Sequence, residues 1–524
     1  MTVKNTIKQA ISQVLAKKYN LADFELEISY PPAPEMGDYA TSAALAVAKE
    51  LKRKPLEVAE EIAGELKEMK EFKEIKVAAP GFINFFVAEE FLQENLKEVL
   101  KEKEKYGQLE PKKKLKIQVE FISANPTGPL TLANGRGGFT GDVLANVLTM
   151  AGQKVEREYY VNDTGNQVEK LGHSVLKDEQ AVYAGEYIDK LKERIKETDS
   201  TKVGLEAAKI ILKEYIQPAI KNVGIEFDNY FSERKLHESG AVEKMFEILK
   251  KKGLVYEKDG AVWLKTTDGD ESTDDKDRVL IKSDGSKTYF LADIAYHWNK
   301  FYDRKFDKVI NLWGADHHGY VPRMKSAMAM LGFPGQLEIL LMQMVRLIEN
   351  GQEKRMSKRQ GVYVLLQELI DEVGLDVARF FFLMHANNKG MDFDLNLAKE
   401  RSSNNPVFYV QYAHARICSI LEKTEKLKQV TNDKKYELHR AEKELIKELI
   451  KWPELILELA ENYEVHKIPF YTIALADKFH DFYENCRVIE GEEVNKFRLD
   501  LIKATKQVLE NSLNCLGVTA PEKM

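Results

Sequence analysis

The order of apolar and polar positions predicts a small α/β domain at the N-terminus. Residues 1–20, 41–51 and 56–69 repeat apolar side chains at helical spacing. The next run, EIKVAAPGFINFFV, is rich in β-branched and aromatic residues, and a Pro-Gly turn divides it. A charged helical run then ends at Gly107, and the linker-like segment QLEPKKK follows. We therefore predict a first domain over residues 1–112.

A second pattern, which begins after the linker, predicts a parallel sheet. The β-rich run KLKIQVEFIS, a Pro/Gly turn, the helical run GDVLANVLTMAGQ and the strand-like KVEREYYVND give the order strand, helix, strand. A polar, helix-rich insertion at about residues 165–275 interrupts this pattern, which resumes in RVLIKSDGSKTYFLADIAYHW, DKVINLWGADHHG and LEILLMQMVRLI. We predict that strands from both sides of the insertion form one sheet within residues 113–395. Such a sheet binds ligands at the carboxyl ends of its strands.

The remaining residues, 396–524, are helical by pattern and predict an all-α domain. Its most distinctive helix is NPVFYVQYAHARICSILEKTEKL. That helix carries aromatic, cationic and amide side chains, the set that stacks on and reads unstacked bases: Tyr409, Gln411, Tyr412, His414 and Arg416. The alternative is that the aromatic residues only pack in the core.

Composition narrows the class of protein. The net charge of -6 argues against indiscriminate coating of nucleic acid, although it leaves room for a local basic face. The three cysteines are far apart and lack metal-type spacing, which indicates reduced structural thiols. The sequence has no run apolar enough to span a membrane, and its first helix lacks the apolar core of a signal peptide. We therefore expect a cytoplasmic protein.

The segment NPTGPLTLANGRGG, residues 125–138, carries the first candidate chemistry. A strand that ends at Ser123 would lead through a tight Pro/Gly turn into a helix that begins near Asn134. Free backbone N–H groups and the positive helix end would then converge on one point, which favours phosphate. The segment is neither a P-loop nor a dinucleotide fingerprint. A plain connector between strand and helix is the alternative.

The segment EKRMSKRQG, residues 353–361, is a basic loop placed just after an apolar strand. Its lysines and arginines could close over a triphosphate and neutralise the charge that develops on leaving pyrophosphate. The alternative is an ordinary solvated surface loop.

The segment WGADHHGYVPR contains three potential metal ligands, Asp316, His317 and His318. Neighbouring residues on an extended segment point to opposite sides, so the two histidines are poorly placed to share one ion. We therefore expect no metal site here. Simple capping of a loop is the alternative to a role in ligand binding.

Together, the Pro/Gly turn and the basic loop resemble the His-x-Gly-His and Lys-Met-Ser-Lys-Ser signatures of class I aminoacyl-tRNA synthetases. Further segments resemble the arginyl-tRNA synthetase family over essentially the whole chain: EFISANPTGPL, EYYVNDTGNQ, TYFLADIAYHW, NLWGADHHGYVPRM, DVARFFFL, YVQYAHARICSIL and LGVTAPEKM. The resemblance implies a Rossmann-like catalytic domain between an N-terminal tRNA-contacting domain and a C-terminal anticodon-binding bundle.

The resemblance also implies a reaction. ATP, accompanied by Mg²⁺, and L-arginine would form arginyl-adenylate, and the arginyl group would pass to the 2′-OH of the terminal adenosine of arginine tRNA. A monomer is expected, as in the family.

By the same resemblance, particular residues take particular roles. The catalytic set is Thr131, Asn134, Arg355, Ser357 and Lys358. The ATP-binding set is Pro126, Gly128, Leu130, Ala133, Gly135, Gly314, Asp316, His317 and Met356. The arginine-binding set is Glu120, Ser123, Asn125, Tyr289 and Asp293. Tyr289 and Asp293 lie four residues apart, so a helix that begins there places both on one face.

The chain departs from the family at the first signature, where Thr131-Leu132-Ala133-Asn134 replaces His-Val-Gly-His. Thr131 and Asn134 remain hydrogen-bond donors, but the methyl group of Ala133 should crowd the adenine. In the basic loop, Arg355 and Arg359 replace the first lysine and the last serine, while Lys358 is kept. Lys358 is therefore the residue expected to stabilise the leaving pyrophosphate.

The altered signature leaves two other functions to consider. One is a catalytically impaired, tRNA-binding paralogue of the same family. The other is a nucleotidyltransferase that adenylates a small molecule without RNA. The retained Lys358 and the arginine-pocket residues argue against the first, and the C-terminal helical domain argues against the second.

Overall fold

The computed structural model describes residues 2–22, 24–267, 274–354, 364–427, 429–431 and 436–524. The N-terminal domain contains the helices α1 (Val3–Tyr19), α2 (Ala43–Leu51), α3 (Pro55–Leu66) and α4 (Glu89–Glu102), and the strands β1 (Tyr39–Thr41), β2 (Phe72–Ala78) and β3 (Phe82–Val87). These strands form an antiparallel sheet in the order β1-β3-β2. The hairpin predicted around the Pro-Gly turn is therefore confirmed.

Helix α1 shows why the N-terminal pattern gives a helix. Its buried side chains recur every four residues, from Val3 through Ile7 and Ile11 to Leu15. The Thr2 side chain accepts from the Asn5 N–H and caps the first turn, and a left-handed residue follows the last turn.

The central domain is built on a five-stranded parallel sheet. Its first half contains β4 (Lys116–Glu120), α5 (Leu132–Met150), β5 (Lys154–Val161), α6 (Asn166–Leu176), α7 (Glu186–Arg194), α8 (Ser200–Ile211), α9 (Gln217–Asn222), β6 (Asn229–Ser232), α10 (Glu233–Glu238), α11 (Ala241–Lys251), β7 (Val255–Lys258) and β8 (Ala261–Leu264). Its second half contains β9 (Arg278–Ile281), α12 (Tyr289–Trp298), β10 (Lys308–Gly314), α13 (Val321–Met330), β11 (Leu337–Met342), β12 (Val345–Glu349), β13 (Gln352–Glu353), α14 (Leu366–Val373), α15 (Leu375–Leu383) and β14 (Met391–Asp394). The sheet has the order β11-β10-β4-β5-β6, and all its pairs are parallel. The predicted Rossmann-like fold is confirmed.

Details of this sheet differ from the prediction. Strand β6 comes from the predicted insertion yet pairs with β5, whereas β9 joins β7 and β8 in a separate antiparallel sheet. The run LEILLMQMVRLI divides into β11, at the edge of the parallel sheet, and β12, which pairs with β13 and β14. Pairing between distant segments decides these memberships, and local apolar runs do not encode it.

Strand β4 ends at Glu120, earlier than the predicted end at Ser123. Ile122 and Ser123 both have positive φ, at 62° and 40°, so the chain turns sharply directly after the strand. The turn brings residues 123–131 over the carboxyl edge of the sheet.

The C-terminal domain contains α16 (Leu395–Lys399), α17 (Pro406–Glu425), β15 (Gln429–Thr431), α18 (Arg440–Asn462), α19 (Lys467–Asn485), β16 (Ile489–Glu490), β17 (Glu493–Asn495) and α20 (Lys496–Leu516). It is helical as predicted, except that the three short strands form a small sheet. No helix in the described part of the chain combines the length and apolar character needed to cross a membrane.

A proline inside α18 marks where the N-terminal and C-terminal domains join. Pro453 has no N–H to offer the Leu449 carbonyl, and the Tyr106 hydroxyl donates to that carbonyl at 3.3 Å instead. The next residue, Glu454, is buried and accepts from the backbone N–H of Lys4 at 2.8 Å and from the Tyr30 hydroxyl. The two domains therefore share a buried polar contact.

Candidate active site

The first signature segment forms the N-terminal turn of α5. The Thr131 backbone N–H and its hydroxyl both donate to Oδ1 of Asn134, at 2.8 and 2.9 Å. The hydroxyl hydrogen of Thr131 is thus used by the Asn134 side chain, and the amide NH₂ of Asn134 is the donor that this pair can offer a phosphate. Ala133, which lies between them in sequence, is exposed to solvent.

Several residues predicted to bind ATP shape the turn instead. Pro126, Leu130 and Gly135 are buried, and a Cβ on Gly135 would lie 2.5 Å from Cδ1 of Leu366. A Cβ on Gly128 would lie 3.3 Å from the Tyr187 hydroxyl. Pro126 and Leu130 are buried and the glycines carry no side chain, so the predicted contact of these residues with ATP would come from the backbone.

The basic loop with Arg355, Met356, Ser357, Lys358 and Arg359 lies outside the described residues. The segment that follows it is placed directly against the first signature. The Leu366 N–H donates to the Leu130 carbonyl at 3.0 Å, and the Leu132 N–H donates to the Val364 carbonyl at 3.1 Å. The chain from Val364 to Leu366, which follows the second signature in sequence, therefore lies against the start of α5.

Arg136 is a buried residue of this region that sequence analysis missed. Its guanidinium donates to the backbone carbonyls of Gln343, Ala386 and Lys389 at 2.8, 2.9 and 2.8 Å. It joins the first turns of α5 to the chain between β11 and β12. An arginine on a helix is usually exposed to solvent. The glycines on either side of Arg136 were the signal in the sequence for a buried position.

Tyr289 and Asp293 lie on one face of α12, which begins at Tyr289 as predicted. The Tyr289 ring is 66% exposed and its hydroxyl lies beside Gly165. The Tyr320 hydroxyl donates to Asp293. Burial is the main cause that raises the pKa of Asp293 to about 7, and the negative charges of Glu233 and Glu120 add to it. The hydrogen bond from Tyr320 opposes the shift.

Glu233 is a second buried carboxyl that sequence analysis missed. It begins α10 directly after β6, at the same edge of the sheet. Burial first, and then the charge of Asp163, raise the pKa of Glu233 to about 7. The signal was the position of Glu233 after a strand, but the prediction assigned that strand to the insertion.

Glu120 is the third carboxyl of this edge, at the end of β4. It is almost fully buried, and the Tyr296 hydroxyl and the Lys300 ammonium both bond to its Oε2. The Ser123 hydroxyl lies 3.4 Å from its Oε1, and Asn125 is half-buried two residues further along the turn. Glu120, Glu233 and Asp293 thus form a buried acidic cluster suited to a cationic ligand with several donors.

The segment with Asp316 and His317 corrects one argument from the sequence. It forms a 3₁₀ helix, Ala315–Tyr320, and not the extended chain from which the histidines were argued to diverge. The side chains of Asp316 and His317 are 81% and 58% exposed, and a Cβ on Gly314 would lie 2.4 Å from Asp316 Oδ1. Within the described residues, no group of three or more His, Cys, Asp or Glu side chains could hold a metal ion.

The five residues predicted to contact tRNA divide into two groups. Tyr412 and Arg416 lie on the surface of α17, where Arg416 bonds to Tyr412 and to the Tyr483 hydroxyl. Tyr409 donates to Asp477 at 2.6 Å beside them. We call Tyr409, Tyr412, Arg416, His480 and Tyr483 the aromatic surface, since His480 packs against both tyrosines of α17.

His414 faces inward, which corrects the prediction for it, whereas Gln411 is half-buried and bonded within the protein. Gln411 donates to Asp376 and to the Thr519 carbonyl, at 2.9 and 3.0 Å. The His414 side chain is fully buried, 2.8 Å from the Pro521 carbonyl and 3.1 Å from Glu510. Both side chains bond to the C-terminal tail, and the buried His414 is not available to a base.

Family models match three parts of the chain. Residues 1–87 match the arginyl tRNA synthetase N terminal domain, residues 175–417 match the class I (R) tRNA synthetase catalytic domain, and residues 410–524 match the DALR anticodon binding domain. The chain is similar to an arginine–tRNA ligase of Caldanaerobacter subterraneus subsp. tengcongensis, with 45% identity over 100% of this chain and 98% of that protein.

A second relative and a solved structure are also similar to this chain. The chain is 40% identical to an arginine–tRNA ligase of Aquifex aeolicus, over the whole of both chains. Its fold is similar to the crystal structure of arginyl-tRNA synthetase from Plasmodium falciparum, with a TM-score of 0.80, 19% identity and full coverage of both chains.

Proposed function

Because this chain belongs to the arginyl-tRNA synthetase family, we propose that it joins L-arginine to tRNA at the carboxyl edge of its parallel sheet. In the first step the arginine carboxylate attacks the α-phosphate of ATP, which forms arginyl-adenylate and releases pyrophosphate. In the second step the 2′-OH of the terminal adenosine of the tRNA attacks the arginyl carbonyl, and AMP leaves.

The buried acidic cluster is the observation that carries this proposal. A guanidinium is planar, always charged and donates through a fork of N–H groups, so it pairs best with carboxylates held in fixed positions. Tyr320 holds Asp293, and Glu233 lies near enough for its charge to act on Asp293. The exposed ring of Tyr289, on the same face of α12 as Asp293, could stack on the guanidinium.

ATP is proposed to bind at the start of α5. The Asn134 amide lies in this first turn, where the N–H groups of Thr131 and Leu132 are already bonded within the protein, and the chain that leaves the basic loop pairs with Leu130 and Leu132. Mg²⁺ would enter with ATP, held by phosphate oxygens and water, because the described residues offer no cluster of ligands of their own. Lys358 keeps its predicted role, to stabilise the leaving pyrophosphate.

The outer domains are proposed to bind the tRNA. The aromatic surface combines stacking rings with the Arg416 guanidinium, which suits unstacked bases of the anticodon. The N-terminal domain is proposed to contact the tRNA body. We propose that the chain acts as a monomer in the cytoplasm, where tRNA charging supplies translation.

Exchange of labelled pyrophosphate into ATP, with cognate tRNA present, tests recognition of the guanidinium. Citrulline has the shape of arginine but a neutral urea group, and lysine has the charge without the fork. The proposal predicts exchange with arginine and a rate at least about a hundredfold lower with citrulline, because citrulline leaves buried carboxylates unpaired. Equal exchange with arginine and citrulline would contradict the proposal.

A further inference from the structure

Arg379 is a fully buried arginine of α15, and no role assigned so far accounts for it. Its guanidinium donates from Nε to the Leu516 carbonyl at 2.9 Å and from Nη1 to the Val223 carbonyl at 2.8 Å. Its Nη2 is paired with the Asp142 carboxylate. A buried guanidinium must be paired, since burial of a free charge is costly. Here the three partners come from the end of α20, from the residue after α9 and from α5, which are far apart in the sequence.

Gly517 shows how closely the end of α20 approaches this guanidinium. It follows the helix in the left-handed conformation, with a φ of 67°, and a Cβ there would lie 2.3 Å from Nη2 of Arg379. On the side of α5, the centroid of the Phe139 ring lies 5.0 Å from the guanidinium carbon. A side chain at position 517 would therefore displace the guanidinium from its partners. The absence of one lets Arg379 join α20 to α5.

The C-terminal tail, which follows α20, extends this connection to α17. Asp376 of α15 accepts from the backbone N–H of Thr519 at 3.1 Å and also from its hydroxyl. Gln411 of α17 donates to the same Asp376 at 2.9 Å, and His414 lies 2.8 Å from the Pro521 carbonyl. Helix α17 carries the aromatic surface, so this surface is bonded to the same helix, α15, that holds α5 through its arginine.

The bonds of Arg379 fix how the C-terminal domain lies on α5. Helices α18 and α20 also pack against α5, but apolar contacts have no preferred direction. A guanidinium carries its donors in a rigid planar fork, so three partners in fixed directions define one arrangement. The first turn of α5 is the proposed ATP site, and α17 carries the surface proposed to bind the anticodon. Arg379 therefore sets the position of one proposed site relative to the other.

One tRNA must contact both places at once while it is charged. Binding energy gained far from the reacting groups speeds a reaction only when the protein uses it to orient those groups. Between two rigidly joined domains, contact of the anticodon with the aromatic surface also places the terminal adenosine. Between domains that can shift, the same contact holds the tRNA without placing its end.

We propose that Arg379 is a positioning residue for tRNA charging: it holds the C-terminal domain on α5 so that recognition of the anticodon raises the rate of the reaction. The inference rests on the proposed function. Arg379 touches neither ATP nor tRNA. It acts only through the segments that its guanidinium joins.

The test measures kcat and KM for charging of an arginine tRNA transcript and of a transcript whose anticodon bases are replaced. In the unaltered protein, the replacement should raise the KM for tRNA and also lower kcat by about tenfold or more. Arg379→Lys keeps a positive charge for Asp142 but loses the planar fork. With this variant the KM should still rise, whereas the anticodon replacement should change kcat by no more than about twofold.

A general loss of stability does not separate kcat from KM in this way. An anticodon effect on kcat that is as large in Arg379→Lys as in the unaltered protein would overturn the proposal. So would an unaltered protein in which the anticodon replacement changes only the KM. Gly517→Ala disturbs the same bonds from the side of α20, so it should give the same result, and it carries the test if Arg379→Lys does not fold.

Arg498→Lys is the matched control. Arg498 also pairs with a buried carboxylate, that of Glu442, and donates to the Arg487 carbonyl, but all three residues belong to the C-terminal domain. The change should lower the melting temperature and leave the anticodon effect on kcat within about twofold of that in the unaltered protein.

Failure of the proposed function would be seen in the unaltered protein, before any variant is compared. Absence of charging would contradict the proposed reaction. An anticodon replacement without effect on either kcat or KM would contradict the proposed role of the aromatic surface, and with it this inference.

Discussion

Glu233 lies close enough to Asp293 for its negative charge to raise the pKa of the Asp293 carboxyl, although the two residues come from different segments of the catalytic domain. Burial is the larger cause, and it raises the pKa of both groups to about 7. Two neighbouring carboxyl groups with raised pKa values are strongly stabilised in their ionised form by a bound cation. In the proposed function, this relationship would favour a charged, forked side chain over a neutral one.

The first prediction concerns pH. The guanidinium binds the ionised carboxylates, whereas below pH 7 Asp293 and Glu233 are largely protonated. Arginine binding should therefore release protons, and the KM for arginine should fall as the pH rises from about 6 to about 8. Steady-state charging at saturating ATP and tRNA measures this. A KM for arginine that is flat or rises over this range would contradict the shifted pKa values.

The second prediction is a change of charge at constant size. Asp293→Asn leaves the guanidinium with a neutral partner in a buried place, which should cost about 3–5 kcal/mol of arginine binding, a hundredfold or more in KM. The KM for ATP should barely change. Asp303→Asn, on the exposed continuation of the same helix, is the control and should behave like the unaltered protein. Unchanged arginine kinetics in Asp293→Asn would remove this carboxylate from the account.

The third prediction concerns the altered signature. Ala133 is exposed at the first turn of α5, where the proposed function places ATP. Ala133→Gly should lower the KM for ATP, because the backbone can then approach the base, at a cost of about 0.5–1 kcal/mol in stability. Adding Thr131→His and Asn134→His restores the whole signature. An ATP KM that rises in Ala133→Gly would show that the site has already adjusted to the methyl group.

The fourth prediction concerns stability. Helices α6 and α8 pack backbone to backbone, and a Cβ on Gly172 would lie 1.7 Å from the Ser200 carbonyl oxygen. Gly172→Ala must separate the helices and should destabilise the protein by about 1–3 kcal/mol or more. Gly64 of α3 has nothing within 4 Å of its Cβ position, so Gly64→Ala should stabilise the protein by about 0.5–1 kcal/mol. Chemical denaturation of both variants measures the difference, and equal effects would contradict the close helix contact.

Local patterns predicted the elements whose apolar spacing is regular. Helix α12 begins at Tyr289 as expected, and the β2–β3 hairpin follows its Pro-Gly turn. Strand β6 could not be predicted in the same way. It has four half-buried residues in a polar region, and its place in the sheet comes from pairing with β5, where Asn229 lies opposite Glu158. That missing strand is also why Glu233 was missed.

The candidate site shows the same limit. The spacing of Tyr289 and Asp293 predicted that the two share one face of a helix, and α12 places them so, while their role in arginine binding stays a prediction. The helix α17 carries both aromatic and polar candidates for contact with bases, and composition alone could not tell which of them face solvent. Helical spacing separates them: Tyr409, Tyr412 and Arg416 follow at three and four residues and lie on the aromatic surface, whereas Gln411 and His414 hold the tail.

Charging of a cognate arginine tRNA transcript with labelled arginine tests the central claim most directly. We predict ATP-dependent formation of arginyl-tRNA by the purified chain, with no comparable product from citrulline or lysine. Absence of arginyl-tRNA at every concentration of Mg²⁺ and ATP, with the protein folded and the transcript chargeable by another arginine–tRNA ligase, would contradict it.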